Sequence, residues 1–263
     1  MSARGREALA DADVVLCEDT RTTRKLLSAL GIEAKLQALH EHNEDAAIPG
    51  VLARLRAGAR VALVSDAGTP LMSDPGFRLL RAAINEGLPV TGVPGANAAV
   101  MAVTLSGLPP LPSLMLGFPP PRAGARRASF ARLRAAERAG LSATLVWHEA
   151  PHRLAETLHD LAEVFGDRPA AVARELTKRF EEVRRGGLPK LAEHYGSEVA
   201  RGEVTVVIAP APGDKAGDEI ALDEALRAAL RENSVRDAAV LVARATGLPR
   251  KQVYARALAM NER

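Results

Sequence analysis

From residue 13 onward, short apolar runs alternate with helix-length amphipathic stretches, and each stretch closes on a glycine. The runs fall at 13–17, 34–39, 60–65 and 89–93, and the stretches between them end at Gly31, Gly58 and Gly87. A glycine just past a helix end supplies the left-handed residue that closes the last turn. Strand alternating with helix at this spacing predicts right-handed crossovers and a mostly parallel sheet covered on both faces. A first α/β domain is therefore expected over residues 1–110, ending with a helix at about 96–106. Three prolines within 108–112 deny that stretch backbone donors and mark a linker. A second α/β domain is expected over 111–212, with strands at 113–118, 141–147, 170–175, 180–184 and 204–208 and helices at 123–138, 151–165 and 188–200. Its pattern predicts some antiparallel pairing. Pro210, Ala211, Pro212 and Gly213 read as a flexible connector. Beyond it, 218–263 is expected to be a small helical domain, with helices at 236–246 and 250–260 around a break at Gly247-Leu248-Pro249. Arg250 and Lys251 in the first turn of the last helix fit a helix-turn-helix that meets nucleic acid, and fit a packed helical hairpin equally well.

Composition narrows the class. In 263 residues, 47% are apolar and 25% charged, which suits a globular chain with one large or two modest domains plus an appendage. No apolar run approaches the roughly 18 residues of a membrane helix, and the first residues lack an apolar leader, so a cytoplasmic protein is expected. The single cysteine, Cys17, excludes an intrachain disulfide and a four-thiolate zinc site. Net charge is only +3, but 29 of the 35 basic residues are Arg. Arg122, Arg126, Arg127, Arg132 and Arg134 share one acid-free stretch that reads as an RNA-facing patch or as a solvated helix face.

The sharpest local feature is Ser65-Asp66-Ala67-Gly68-Thr69-Pro70-Leu71-Met72-Ser73-Asp74-Pro75-Gly76, which follows an apolar strand. Two Gly, two Pro and two Asp between strand and helix specify a fixed loop at the carboxyl edge of a parallel sheet, where open α/β proteins bind ligands. Val93-Pro94-Gly95-Ala96-Asn97 supplies a second such loop, small enough for close approach of a flat ligand. Neither reads G-x-G-x-x-G, and no G-x-x-x-x-G-K-[ST] occurs, so a nucleoside-like ligand without a phosphate chain is expected, S-adenosylmethionine being the candidate. His148-Glu149-Ala150-Pro151-His152 matches H-E-x-x-H only formally, since Pro151 pushes Ala150 out of helical geometry and the two histidines should diverge. No metal is expected. Glu149 and Arg153 flank a strand-to-helix junction instead. Glu18-Asp19-Thr20-Arg21, His40-Glu41-His42-Asn43-Glu44 and Arg174-Glu175-Leu176-Thr177-Lys178 are further polar clusters at strand ends.

In this order, those clusters resemble the tetrapyrrole methylase superfamily of S-adenosylmethionine-dependent enzymes, and more closely its ribosomal RNA branch. The resemblance spans the chain to about residue 210 and implies two α/β domains of that type with the cofactor between them, usually in a homodimer. The helical tail is similar to the small domain appended in the RNA branch. The implied activity is methylation of a cytidine ribose 2′-hydroxyl in 16S rRNA, with the small ribosomal subunit as partner. Cofactor contacts are expected from Asp66, Gly68, Thr69, Pro70, Gly95 and Ala96. Catalytic roles are expected for Glu149 or Glu175 as proton acceptor and for Lys178 and Arg153 beside the hydroxyl, and RNA contacts for Arg21, Arg126, Arg127, Arg250 and Lys251. The alternatives are a non-catalytic RNA-binding or assembly factor on the same fold and a methyltransferase acting on a small tetrapyrrole. The resemblance also implies an opening apolar strand and a Thr-Pro-Ile-Gly-Asn loop. Here Met1 leads straight into a helix-like stretch at 2–12, as a downstream start or a truncation would produce. An exposed strand edge, weakened cofactor binding and impaired activity are expected in consequence.

Overall fold

The computed structural model describes residues 1–212, 215–246 and 248–261. Gly213 of the expected connector and Gly247 of the expected break lie outside the described residues. Residues 1–210 form one compact unit and 211–263 a second.

In the first unit, β1 (Val14–Cys17) sits between β2 (Leu36–Ala38) and β3 (Val61–Val64) in an all-parallel sheet of order β2-β1-β3. Because side chains alternate across a strand, Val14 and Leu16 point to one face and Val15 to the other. The first pair packs with Val51 of α3 (Glu44–Arg56) and Leu79 of α4 (Phe77–Asn85). Val15 packs with Leu9 of α1 (Ala3–Ala10) and Leu27 of α2 (Thr20–Leu30). Ser2 caps α1, Asp19 caps α2, and Gly31, at φ 67°, ends α2 as the pattern predicts. Glu44 is buried at the base of α3, where its carboxylate accepts the Leu79 amide at 2.9 Å and joins two helices.

One expected strand does not form. Residues 89–93 run unpaired, and β3 pairs with β1 alone among the described residues, so the sheet ends at an open edge. An extended segment becomes a strand only when a neighbour supplies its hydrogen bonds, and none lies beside this one.

The second sheet has the order β4-β5-β8-β6-β7: β4 (Ser113–Met115), β5 (Thr144–Glu149), β8 (Val204–Ile208), β6 (Pro169–Arg174) and β7 (Glu182–Gly187). β4 and β5 are parallel, and β8 runs antiparallel to both β5 and β6, as the mixed pattern predicts. One face carries Leu145, Trp147, Val172 and Val206 against α6 (Ala123–Arg138), α7 (Leu154–Phe165) and α8 (Leu188–Ser197). The opposite face carries Val146, Ala173 and Val207 against Ala99, Ala102 and Val103 of α5 (Ala98–Ser106). Thus α5, which the sequence places with the first sheet, packs on the second. The proline-rich stretch before β4 is also no free linker, since Thr144 donates its hydroxyl to the Pro109 carbonyl and its amide to that of Pro112.

The second unit packs α9 (Lys215–Leu230), α10 (Val235–Thr246) and α11 (Arg250–Asn261) around Leu226, Ala239, Val242, Val253 and Ala257. Ser234 accepts the Asp237 amide at the start of α10, and Asp223 of α9 pairs with Arg256 of α11 at 2.7 Å. No helix among the described residues is long and apolar enough to cross a membrane.

Candidate active site

The loop after β3 and the segment after α4 meet at the carboxyl edge of the first sheet. Thr69 donates its hydroxyl to the Ala96 carbonyl at 3.1 Å, which ties the two loops together. Asp66, Gly68, Gly95 and Ala96 are exposed, Thr69 and Pro70 half-buried. Gly68 needs its φ of 79°, and a side chain at Gly95 would enter open space. Leu71 and Ser73 hold φ near +73°, a costly conformation for non-glycine residues that tends to persist at functional sites. Burial and the neighbouring Glu18 and Asp66 carboxylates push the Asp74 carboxyl above the usual range. This edge is therefore acidic, and its backbone groups at 89–96 make no backbone hydrogen bonds among the described residues.

The carboxyl edge of the second sheet lies alongside. A side chain on Gly117, just past β4, would sit 3.6 Å from the Ser73 hydroxyl of the first edge. Register across β5, β8 and β6 aligns Glu149 with Val204 and Val204 with Arg174, which places Glu149 and Arg174 two strand spacings apart, about 10 Å. Glu149 is 2% exposed. Its carboxylate accepts the Thr157 hydroxyl at 2.5 Å, the Ala150 amide at 2.7 Å and Arg153 Nη2 at 3.3 Å, while Arg153 also donates to the Pro119 carbonyl. With its lone pairs engaged and its side chain buried, Glu149 is built to hold Arg153 rather than to meet a substrate hydroxyl.

Glu175 and Lys178 project from the turn that joins β6 to β7. Glu175 Oε1 accepts Lys178 Nζ at 2.9 Å and the Glu203 amide at 3.0 Å, and Lys178 also reaches the Glu203 carboxylate at 3.2 Å. The hydrogen bond between them holds the Glu175 carboxyl below its usual range and raises the Lys178 ammonium above its own. Glu175 and Thr177 have φ of 49° and 65°, so the non-glycine residues with positive φ among those described fall in this turn and in the β3 loop. Gly202 lies so close that any side chain there would overlap the Glu175 carboxylate. Glu203 was invisible to motif reading: it precedes an apolar strand, but its partners lie 25 and 28 residues away and meet it only through the antiparallel placement of β8. His148 lies on β5, where its Nδ1 sits 3.2 Å from the Thr205 hydroxyl and burial lowers its pKa; His152 lies in the 3-10 turn Pro151–Arg153.

The expected RNA-facing arginines separate. Arg126 is a correction: its side chain is 1% exposed and its Nε pairs with Asp160 at 2.6 Å, so α6 turns it into the protein and it cannot touch RNA. Arg127 is half exposed but pairs with Asp160 and Glu163. Arg21 is 84% exposed and folds back on Asp19, whose carboxyl it lowers to about 2. Arg250 and Lys251 are exposed at the start of α11.

Two sheets that approach each other at Gly117 and Ser73, each with a strained loop at its carboxyl edge, fit a methyltransferase of one recognisable class. Residues 1–192 match the Tetrapyrrole (Corrin/Porphyrin) Methylases, and the chain belongs to that S-adenosylmethionine-dependent family. Residues 216–261 match the RsmI C-terminal HTH domain. Among its relatives, a Mesorhizobium japonicum protein named "Ribosomal RNA small subunit methyltransferase I" is 42% identical over 264 residues, covering 100% of this chain and 88% of the relative. One of the same name from Micromonospora olivasterospora is 44% identical over 270 residues, covering 100% and 83%. In fold the chain is similar to a diphthine synthase crystal structure, at TM-score 0.58 and 16% identity over 80% of this chain and 84% of that one.

Proposed function

We propose that this protein methylates small-subunit ribosomal RNA at a cytidine ribose 2′-hydroxyl, in the cytoplasm and as a homodimer. The observation that carries the reading is that similarity to proteins of that name runs through both units, the helical one included. Exposed Val100 and Met101 on α5 support self-association. The residues present fit the donor. S-adenosylmethionine supplies an electrophilic methyl on a sulfonium and bears net positive charge, which suits the edge formed by Glu18, Asp66 and Asp74. Asp66, Gly68, Thr69, Pro70, Gly95 and Ala96 would hold it, with the backbone groups at 90–93 and 95 available to read the adenine.

The rest of the chemistry is orientation and charge. Lys178, held as an ammonium by Glu175 and Glu203, is placed to stabilise negative charge growing on the ribose oxygen. The lowered pKa of Glu175 makes it a weak base, so it orients Lys178, and the hydroxyl proton would pass to solvent. Arg153, fixed by Glu149, is available to a phosphate.

The test is methyl transfer from labelled donor to undermethylated small subunits, with calorimetric titration of the donor in parallel. Transfer to a cytidine 2′-oxygen, abolished by Lys178→Ala, is the expected result. Donor binding without transfer to RNA would refute the substrate. Absence of donor binding would favour a non-catalytic RNA-binding factor, a reading that the open edge of β3 supports.

A further inference from the structure

Phe180 stands 65% exposed, the most exposed of the 8 aromatic residues, with Phe77 at 60% and Phe118 at 53%. A single exposed apolar ring is ordinary, but three features set this one apart. The turn that displays it is pinned: the Glu181 carboxylate accepts the Thr177 amide at 2.6 Å, and the Glu181 amide donates to the Lys178 carbonyl at 3.2 Å. The Arg179 guanidinium lies 5.5 Å from the ring centroid and has no carboxylate partner among the described residues. Lys178, the ammonium at the reacting edge, is two residues away on the same turn.

A rigid ring flanked by cations is suited to stacking against a flat, electron-rich group carried on an anionic chain. We propose that Phe180 and Arg179 form a platform on which an unpaired base of the RNA stacks, next to the nucleotide that is methylated, and so set which nucleotide reaches Lys178. Charge favours RNA over a second copy of this chain, since Arg179 has no carboxylate partner among the described residues and an RNA strand carries a phosphate beside each base. The proposal rests on the RNA-methylating reading and gives it a strand-positioning element.

Stacking a base on an aromatic ring is generally worth enough that its loss weakens binding about 5- to 150-fold. Phe180→Ala is expected to raise KM for small subunits within that range while kcat and donor affinity stay near wild type. Phe180→Trp and Phe180→Tyr should restore KM, and Phe180→Leu should not. In Phe180→Trp the new indole should be quenched by a single-stranded oligoribonucleotide, against the buried Trp147 as an internal reference. An unchanged KM in Phe180→Ala, full rescue by Phe180→Leu, or no quenching by RNA overturns the platform. So does a change in sedimentation of Phe180→Ala, which assigns the ring to self-association. Quenching in a protein that fails to methylate small subunits overturns the reaction reading and leaves the platform standing.

Discussion

Arg126 and Arg127 are adjacent in sequence and opposite in surroundings. Arg126 is locked to the 5%-exposed Asp160, so Arg126→Ala strands a buried carboxylate and should cost about 3–5 kcal/mol, read as a lowered urea midpoint, with RNA affinity unchanged. Arg127→Ala should cost no more than about 1 kcal/mol, since its own side chain is half exposed and Asp160 keeps Arg126 as a partner. An acid-free basic run could not reveal this, because the acids that claim it lie a helix away on α7. Asp74 carries a separate sign. Its carboxyl is raised, so the contribution that favours folding is present below the ordinary carboxylate range and is lost as pH rises through the raised value. Asp74→Asn should therefore raise the melting midpoint at pH 8 and leave it unaltered near pH 3, by differential scanning calorimetry. Lys178 runs the other way from a base: its ammonium is raised, so activity that depends on its charge should persist across neutrality and fall only above the ordinary lysine range. A rate rising through a midpoint near 7 and abolished by Lys178→Ala would contradict that role.

At the scale of elements, hydrophobic period and glycine placement located β1, β2, β3 and the helices between them, because each is fixed by local pattern. The same pattern failed at 89–93, where pairing depends on a neighbour that periodicity cannot see. α5 misled for a related reason, since its apolar face was legible but the sheet it covers was not. The cradle residues were legible as loops, and the tie from Thr69 to Ala96 was not. These differences have a dynamic consequence. Amides at 90–93, 95 and 96, lacking backbone partners among the described residues, should exchange with solvent within seconds, while those of β5, β6 and β8 persist far longer. Adding S-adenosylhomocysteine should slow exchange at 66–70 and 89–96, measured by mass spectrometry; protection appearing elsewhere would move the cradle.

For the whole molecule, fold persists where sequence does not: the TM-score of 0.57 to the methyltransferase CobJ comes with 19% identity. The helical unit has its own core. Removing 211–263 is expected to leave donor affinity intact and to weaken small-subunit binding. Arg250→Ala and Lys251→Ala should each lower the slope of log affinity against log salt by about 0.7–0.9 if each meets one phosphate. The place of β8 carries one more implication. The middle position of the five-stranded sheet belongs to the strand that comes last in the chain, between partners made earlier. As the polypeptide emerges during translation, β5 and β6 wait with bare edges, and Glu203 cannot brace Glu175 and Lys178 until residue 208 is out.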